Sequence, residues 1–200
     1  VLIAALAFGA GYFVAQRHVE VRSLPAVAGI VWPPPLPLEP FDLTDADGRY
    51  RFDIEFLTDR LVAATHWVRS NPRSNHSRLG FFGASTGGAA ALWAAAILGD
   101  EISAVVSRGG RPDLAYEHLS EVEAPTLLIV GERDEAVLQL NRDAYEHLTC
   151  IRKMAIIPGA THLFEEPGAL DKVANLAARW FEVHLSETSD NAQQHTFHHA

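Results

Sequence analysis

GFFGASTGGAAALWAA, residues 80–95, decides how the chain is read. An apolar run ends in Gly83-Ala84-Ser85-Thr86-Gly87, and an alanine-rich stretch follows at once. A short apolar run bounded by glycine reads as a buried strand, and the alanine-rich stretch as a helix. Ser85 therefore stands at a strand-to-helix turn between two glycines. Gly-x-Ser-x-Gly in that setting is a nucleophile elbow. The turn is strained, so its neighbours must be small, a need that Gly83 and Gly87 meet. It lifts Oγ above the sheet and puts Ser85 at a helix N-terminus. There the Thr86 N–H and the helix dipole favour an oxyanion. A glycine-rich turn with a capping serine is the plainer reading of the same residues. With glycine and serine at about 7% each, such a chain shows the pattern about 0.07 times by chance, so context has to decide.

Outward from the elbow, short apolar runs alternate with helical segments. Leu79–Phe82 reads as a strand and Gly87–Leu98 as a helix. Ile102–Val106 is a second strand. Thr126–Val130 is a third, with a helix from about Ala136 to Leu148. Met154–Ile157 is a fourth, and a last helix spans about Gly168 to His184. In that helix Leu170, Val173, Leu176, Ala177, Trp180 and Phe181 form the expected buried stripe. Upstream, Ile54, Leu57, Leu61, Ala64 and Val68 repeat at helical spacing, with Asp53 near the start and Asn71-Pro72 at the end. His66 and Trp67 in this helix read as surface and packing residues. Continuously apolar strands separated by helices imply an α/β fold, with a mostly parallel central sheet flanked by helices on both faces.

In such a sheet the loops after the strands open into one crevice, where ligands bind. Ser85 follows the first of these strands. SRGGRPD (107–113), GERDE (131–135) and PGATHLFEE (158–166) follow the others. A serine, an acid and a histidine thus arise in order from three strand ends. A serine hydroxyl is a poor nucleophile until a base takes its proton. His162 is the natural base, and Asp134 would orient it and stabilise the imidazolium. Glu132, Glu135 and Asp113 are the competing acids. Of the ten histidines, only His162 follows the last strand by a short loop. His18, His66, His76, His118 and His147 fall on surface or helical positions. Arg108 and Arg111 would meet an anionic substrate group, or else are solvated arginines on a Gly109-Gly110 turn. Glu165 and Glu166 are expected to favour the start of the last helix through its dipole. Cys150 reads as a buried, inert thiol.

The bulk composition agrees. Over 200 residues, a hydrophobic fraction of 48% and a charged fraction of 20% are those of a globular chain. A net charge of -9 and the lack of any Lys/Arg-rich run exclude a nucleic-acid partner. The single cysteine forbids an intrachain disulfide and suits a cytoplasmic protein. Val1–Ala15 carries no charge, but its 15 residues fall short of the roughly 20 that span a bilayer. It reads as a strand and turn, or else as a truncated signal or anchor, and no membrane contact is expected. WPPPLPLEP (32–40) suits an extended loop or a polyproline ligand, not a helix or a central strand. The polar end, SETSDNAQQHTFHHA (186–200), reads as a disordered tail. Its histidines suit only adventitious metal contact. The expected organisation is a divergent segment over 1–50, a core over 51–185 and the tail over 186–200.

GASTG (83–87), VSRGGRPDL (106–114), APTLLIVGERDE (124–135) and IPGATHLFEEPG (157–168) resemble the dienelactone hydrolase-like branch of the α/β-hydrolase family. The resemblance runs from about Arg51 to Leu185. It implies a serine hydrolase of small-molecule esters or lactones, with Ser85 as nucleophile, Asp134 as acid and His162 as base, and with no metal or organic cofactor. The namesake enzymes use cysteine where this chain has Ser85. Relatives in this branch are sometimes fused to a phosphoribosyltransferase domain, of which these residues contain nothing. The family also has a His-Gly-Ser-Gly-like loop before its first helix, which lends the second oxyanion N–H. Here Val1–Phe8 leads to Gly9-Ala10-Gly11, and no His-Gly follows. Real divergence, or a truncated or frame-disturbed coding sequence, would account for that. Losing one oxyanion donor lowers turnover about 100- to 1000-fold. A catalytically weak scaffold is therefore one rival expectation, and a membrane-anchored domain, prompted by Val1–Ala15, is the other.

Overall fold

In a computed structural model the apolar runs become one parallel sheet whose strands lie side by side in chain order. The structure describes residues 2–4 and 50–186. The strands are β1 (Leu2–Ala4), β2 (Leu79–Ala84), β3 (Ile102–Arg108), β4 (Thr126–Gly131) and β5 (Arg152–Ile157). They are ordered β1-β2-β3-β4-β5, and every neighbouring pair is parallel. Helix α1 (Ile54–Ser70) precedes β2. Helices α2 (Thr86–Leu98), α3 (Glu135–His147) and α4 (Ala169–Leu185) follow β2, β4 and β5. A 3₁₀ segment, Pro112–Glu121, kinked at Ala115, joins β3 to β4. Ladder partners continue through Gly83–Ser107 and Ala84–Arg108, so β2 and β3 both run two residues past the sequence expectation. That extension brings the Ser85 turn and the loop after β3 to the same end of the sheet.

Side chains alternate across the pleat, so each strand feeds two cores. Phe81, Val105 and Leu128 pack with Leu61, Leu92, Leu119 and Leu148 on one face. Val106, Leu127 and Ile129 pack with Phe164, Val173, Ala177 and Phe181 on the other. The first face is covered by α1, α2, α3 and the 3₁₀ segment. Among the described residues α4 is the helix that covers the second. Helix α2 is buried along most of its length by alanine, glycine and leucine. A helix apolar all round belongs inside a layered core, and its small side chains let the sheet and α1 approach closely.

Two expected stripes are shifted. In α1 the buried positions are Thr58, Leu61, Thr65 and Val68, while Leu57 and Ala64 are only half-buried. The threonine hydroxyls donate to the Ile54 and Leu61 carbonyls at 2.7 and 3.0 Å. That local bond lets a polar residue sit in the core. In α4, Leu170 is 54% exposed and Ala169 is buried instead. Leu176 and Trp180 lie at the margin of the core, and the Trp180 indole N–H donates to the Pro125 carbonyl. The proline-rich segment, most of Val1–Ala15 and the tail beyond Ser186 lie outside the described residues. No described helix is long and apolar enough to cross a membrane.

Phe81 is fully buried at the centre of the first core. Phe81→Ala is expected to lower unfolding free energy by about 3–5 kcal/mol in urea titration. Asp53 accepts the Phe56 N–H at 3.0 Å and caps α1. Asp53→Ala is expected to cost only about 1 kcal/mol in the same measurement.

Candidate active site

The parallel strands point their C-terminal ends the same way, and the loops after β2 to β5 meet there. Ser85 turns the chain with φ 52° and ψ −123°. A non-glycine residue held in such a region costs about 1–3 kcal/mol, so its surroundings must over-determine it. Three backbone bonds do so. The Ser85 N–H donates to the Arg108 carbonyl at 3.2 Å. The Ser85 carbonyl accepts the Gly88 N–H at 3.0 Å and the Arg111 N–H at 3.1 Å. A Cβ on Gly83 would overlap the Gly87 carbonyl and lie 2.8 Å from Gly88 Cα. Ser85 occupies the position before α2, yet its side chain makes no capping bond. A capping serine has extended backbone and bonds to the first turn. Ser85 does neither, so the capping-serine reading does not describe this turn. Thr86 opens α2 and is buried.

Asp134 stands before α3 and likewise makes no cap. Its Oδ2 lies 2.6 Å from His162 Nδ1. The Asp134 side chain is 14% exposed and that of His162 is 39% exposed. A carboxylate on Nδ1 fixes the ring and leaves Nε2 for proton transfer. The other acids are engaged elsewhere. Glu132 accepts the Gly159 N–H at 2.7 Å, Asp113 pairs with Arg111, and Glu135 is exposed in the first turn of α3. Glu166 departs from its expected role: it accepts the Thr161 N–H at 3.0 Å and braces the histidine loop rather than the start of α4. That bond holds its carboxyl below the usual carboxylate range. Helix α4 instead begins after Gly168, whose φ is 76°. The Arg133 N–H adds a bond to the Ala160 carbonyl at 2.9 Å. The His162 loop is thus tied to the Asp134 loop at several points.

Gly109 connects the two halves of the site. Its N–H donates to the Ile129 carbonyl at 2.7 Å. A Cβ placed there would lie 3.4 Å from the His162 carbonyl oxygen and 3.6 Å from ring Cε1. The His162 loop therefore rests on the residue that follows Arg108, whose carbonyl holds Ser85. The described hydrogen bonds do not include one from Ser85 Oγ to His162; such bonds are often long before substrate binds.

Both arginines of SRGGRPD make internal contacts. Arg111 forms a two-point pair with Asp113, at 2.8 Å from Nε and 2.7 Å from Nη2. That hydrogen bonding raises its pKa. Arg108 Nη2 donates to the Leu163 carbonyl at 2.7 Å, and its Cζ lies 4.7 Å from the Phe164 ring centroid. Burial lowers its pKa. Asn141 escaped the sequence reading. It is buried in α3, and its Nδ2 donates to the Gly110 carbonyl at 2.9 Å and the Val137 carbonyl at 2.8 Å. The available signal was an asparagine at a core-facing position of α3, in line with Val137, Leu138 and Ala144.

A parallel sheet with helices on both faces and a serine elbow at a strand end define an α/β-hydrolase fold. Residues 49–187 match the family described as the dienelactone hydrolase family, and the chain belongs to that family. A crystal structure of a dienelactone hydrolase from Anabaena variabilis superposes with a TM-score of 0.69 at 55% identity, covering 71% of this chain and 66% of that one. An α/β serine hydrolase without a lid from Xanthomonas campestris superposes at 0.54 with 26% identity, covering 68% and 60% of the two chains. A protein named as a phosphoribosyl transferase, found in two strains of Mycobacterium tuberculosis, is 52% identical over 149 residues. Those residues are 72% of this chain, which spans about a third (34%) of that protein's length.

Two outcomes follow from the geometry. Gly83→Ala drives a methyl into the Gly87 backbone, and an overpacked site of this kind loses about 1–3 kcal/mol in urea titration. Glu166, with its folded pKa lowered, contributes stability above the ordinary carboxylate pKa and loses it as pH falls through the folded value. Glu166→Gln is expected to flatten stability against pH on the acid side, measured by urea midpoints.

Proposed function

We propose that this domain hydrolyses a small carboxylic ester or lactone through an acyl-enzyme on Ser85. His162 Nε2 takes the Ser85 proton as Oγ attacks the carbonyl carbon. Asp134 holds the ring by its Nδ1 and stabilises the imidazolium. The tetrahedral oxyanion gathers at the Thr86 N–H and the N-terminus of α2, whose dipole favours negative charge. His162 then gives its proton to the leaving alkoxide, or to the ring oxygen of a lactone. Water, deprotonated by His162, attacks the acyl carbon, and the intermediate then expels Ser85 Oγ, which takes that proton back from His162. Arg108 ends β3 and Arg111 follows it, at the sheet end that holds Ser85, and an acid-bearing substrate would engage Arg111 by sharing it with Asp113. None of these steps calls on a metal or an organic cofactor. A cytoplasmic small-molecule hydrolase fits the acidic chain and its single cysteine.

One observation carries this reading. Two residues that stand where helices are normally capped, Ser85 and Asp134, both leave their helices uncapped, and Asp134 turns to His162. The similarity to a dienelactone hydrolase and to a lid-less serine hydrolase supports the same chemistry. A weak or inactive scaffold is the second reading, favoured by Gly9-Ala10-Gly11 standing where the family has its His-Gly loop.

Fluorophosphonate labelling and turnover of 4-nitrophenyl acetate test both. Wild type is expected to label and turn over. Ser85→Ala and His162→Ala are each expected to lose about 10⁴-fold or more in kcat, and Asp134→Asn about 10⁴-fold. Full activity in Ser85→Ala would sink the proposal, and a folded wild type that neither labels nor turns over would favour the scaffold.

A further inference from the structure

Arg108 touches both halves of the site with different parts of itself. Its main-chain carbonyl accepts the Ser85 N–H at 3.2 Å, which helps hold the strained elbow. Its guanidinium reaches the opposite loop. There it donates to the Leu163 carbonyl, one residue past His162, and lies over the ring of Phe164. Phe164 is fully buried, and besides Ser85 it is the other described non-glycine residue with positive φ, at 58°. The base loop is therefore bent at Phe164 and pinned at that bend by the same residue that helps hold the nucleophile.

We propose that Arg108 is a positioning residue that fixes the distance between the Ser85 turn and the His162 loop. It rests on the reading of Ser85 and His162 as nucleophile and base. The Arg108 side chain is half-buried, whereas Arg111 has its own carboxylate partner in Asp113. Arginine suits this task because its planar fork both donates to a carbonyl and stacks on an aromatic face. Lysine carries the charge without the plane. A clamp of this kind acts on the alignment of Oγ and Nε2, and a misplacement of about 1 Å costs about 100-fold in rate.

The experiment compares wild type with Arg108→Met and Arg108→Lys. For the neutral ester 4-nitrophenyl acetate, kcat is expected to fall about 100-fold in Arg108→Met while KM stays near wild type. Fluorophosphonate labelling slows by a similar factor, and guanidinium ion at a sub-denaturing concentration restores part of the rate. Arg108→Lys remains slow despite its charge. Hydrogen exchange of residues 161–166 quickens in both variants while β3 and β4 stay protected. The NMR resonance of the proton between His162 Nδ1 and Asp134 broadens. An unchanged kcat, with KM raised only for esters bearing a carboxylate, would overturn the proposal and assign Arg108 to substrate binding. Unchanged exchange and an unchanged His162 resonance would overturn it as well. If wild type shows no turnover, these two structural readouts still decide the clamp, and the hydrolase reading fails separately. If Arg108→Met does not fold, Arg108→Lys carries the comparison.

Discussion

Everything at the C-terminal end of this sheet depends on holding one serine in a backbone conformation that serine does not favour. At Ser85 the chain must leave a strand and enter a helix within a single residue. It does so with a positive φ, stabilised by main-chain bonds to Arg108, Arg111 and Gly88. Those bonds exist because β2 and β3 stay paired up to Ala84 and Arg108. The pairing in turn relies on the apolar layers on either side, from Phe81 and Val105 to Val106 and Ile129. The hydrophobic effect thus supplies the free energy that keeps a local distortion in place. Glycine at 83 keeps a Cβ from overlapping the Gly87 carbonyl.

Helix starts give the site its electrostatic character. Each of α2 and α3 begins at a residue whose side chain could have satisfied its first N–H groups and does not. The partial positive charge of those ends therefore stays directed at the crevice. Asp134 stands at one of them, turned to His162. The other, at Ser85, is where the proposed oxyanion would gather, and stabilising charge that develops only in a transition state accelerates a step rather than merely tightening binding.

Much of this was legible in the amino-acid order, for a physical reason. Strands buried on both faces must be continuously apolar, so Leu79–Phe82 and Thr126–Val130 announce themselves, and the residues just after them are the ones that reach the crevice. Contacts without periodicity were not legible. Arg108 and Asn141 each bond a carbonyl from a segment distant in sequence, Leu163 and Gly110 respectively. Such a bond leaves no pattern along the chain. Glu166 misled because an acid just ahead of a helix looks like a dipole partner, whereas its side chain folds back onto Thr161. Thr58 and Thr65 hid in α1 because a buried hydroxyl bonded to its own preceding turn behaves as an apolar group.

The side-by-side order of β2 to β5 also bears on how the chain reaches this state. Each strand after β2 docks beside the one made just before it, through a single short crossover. Loop-closure entropy is then met in small instalments rather than in one long-range search. Growth from the β2–α2–β3 unit would bury the elbow early. Asp134 arrives with β4 and α3, and His162 only after β5 has joined the described sheet. A chain assembling in this direction forms the Ser85 turn first and completes the Asp134–His162 pair beside it only once β5 is in place.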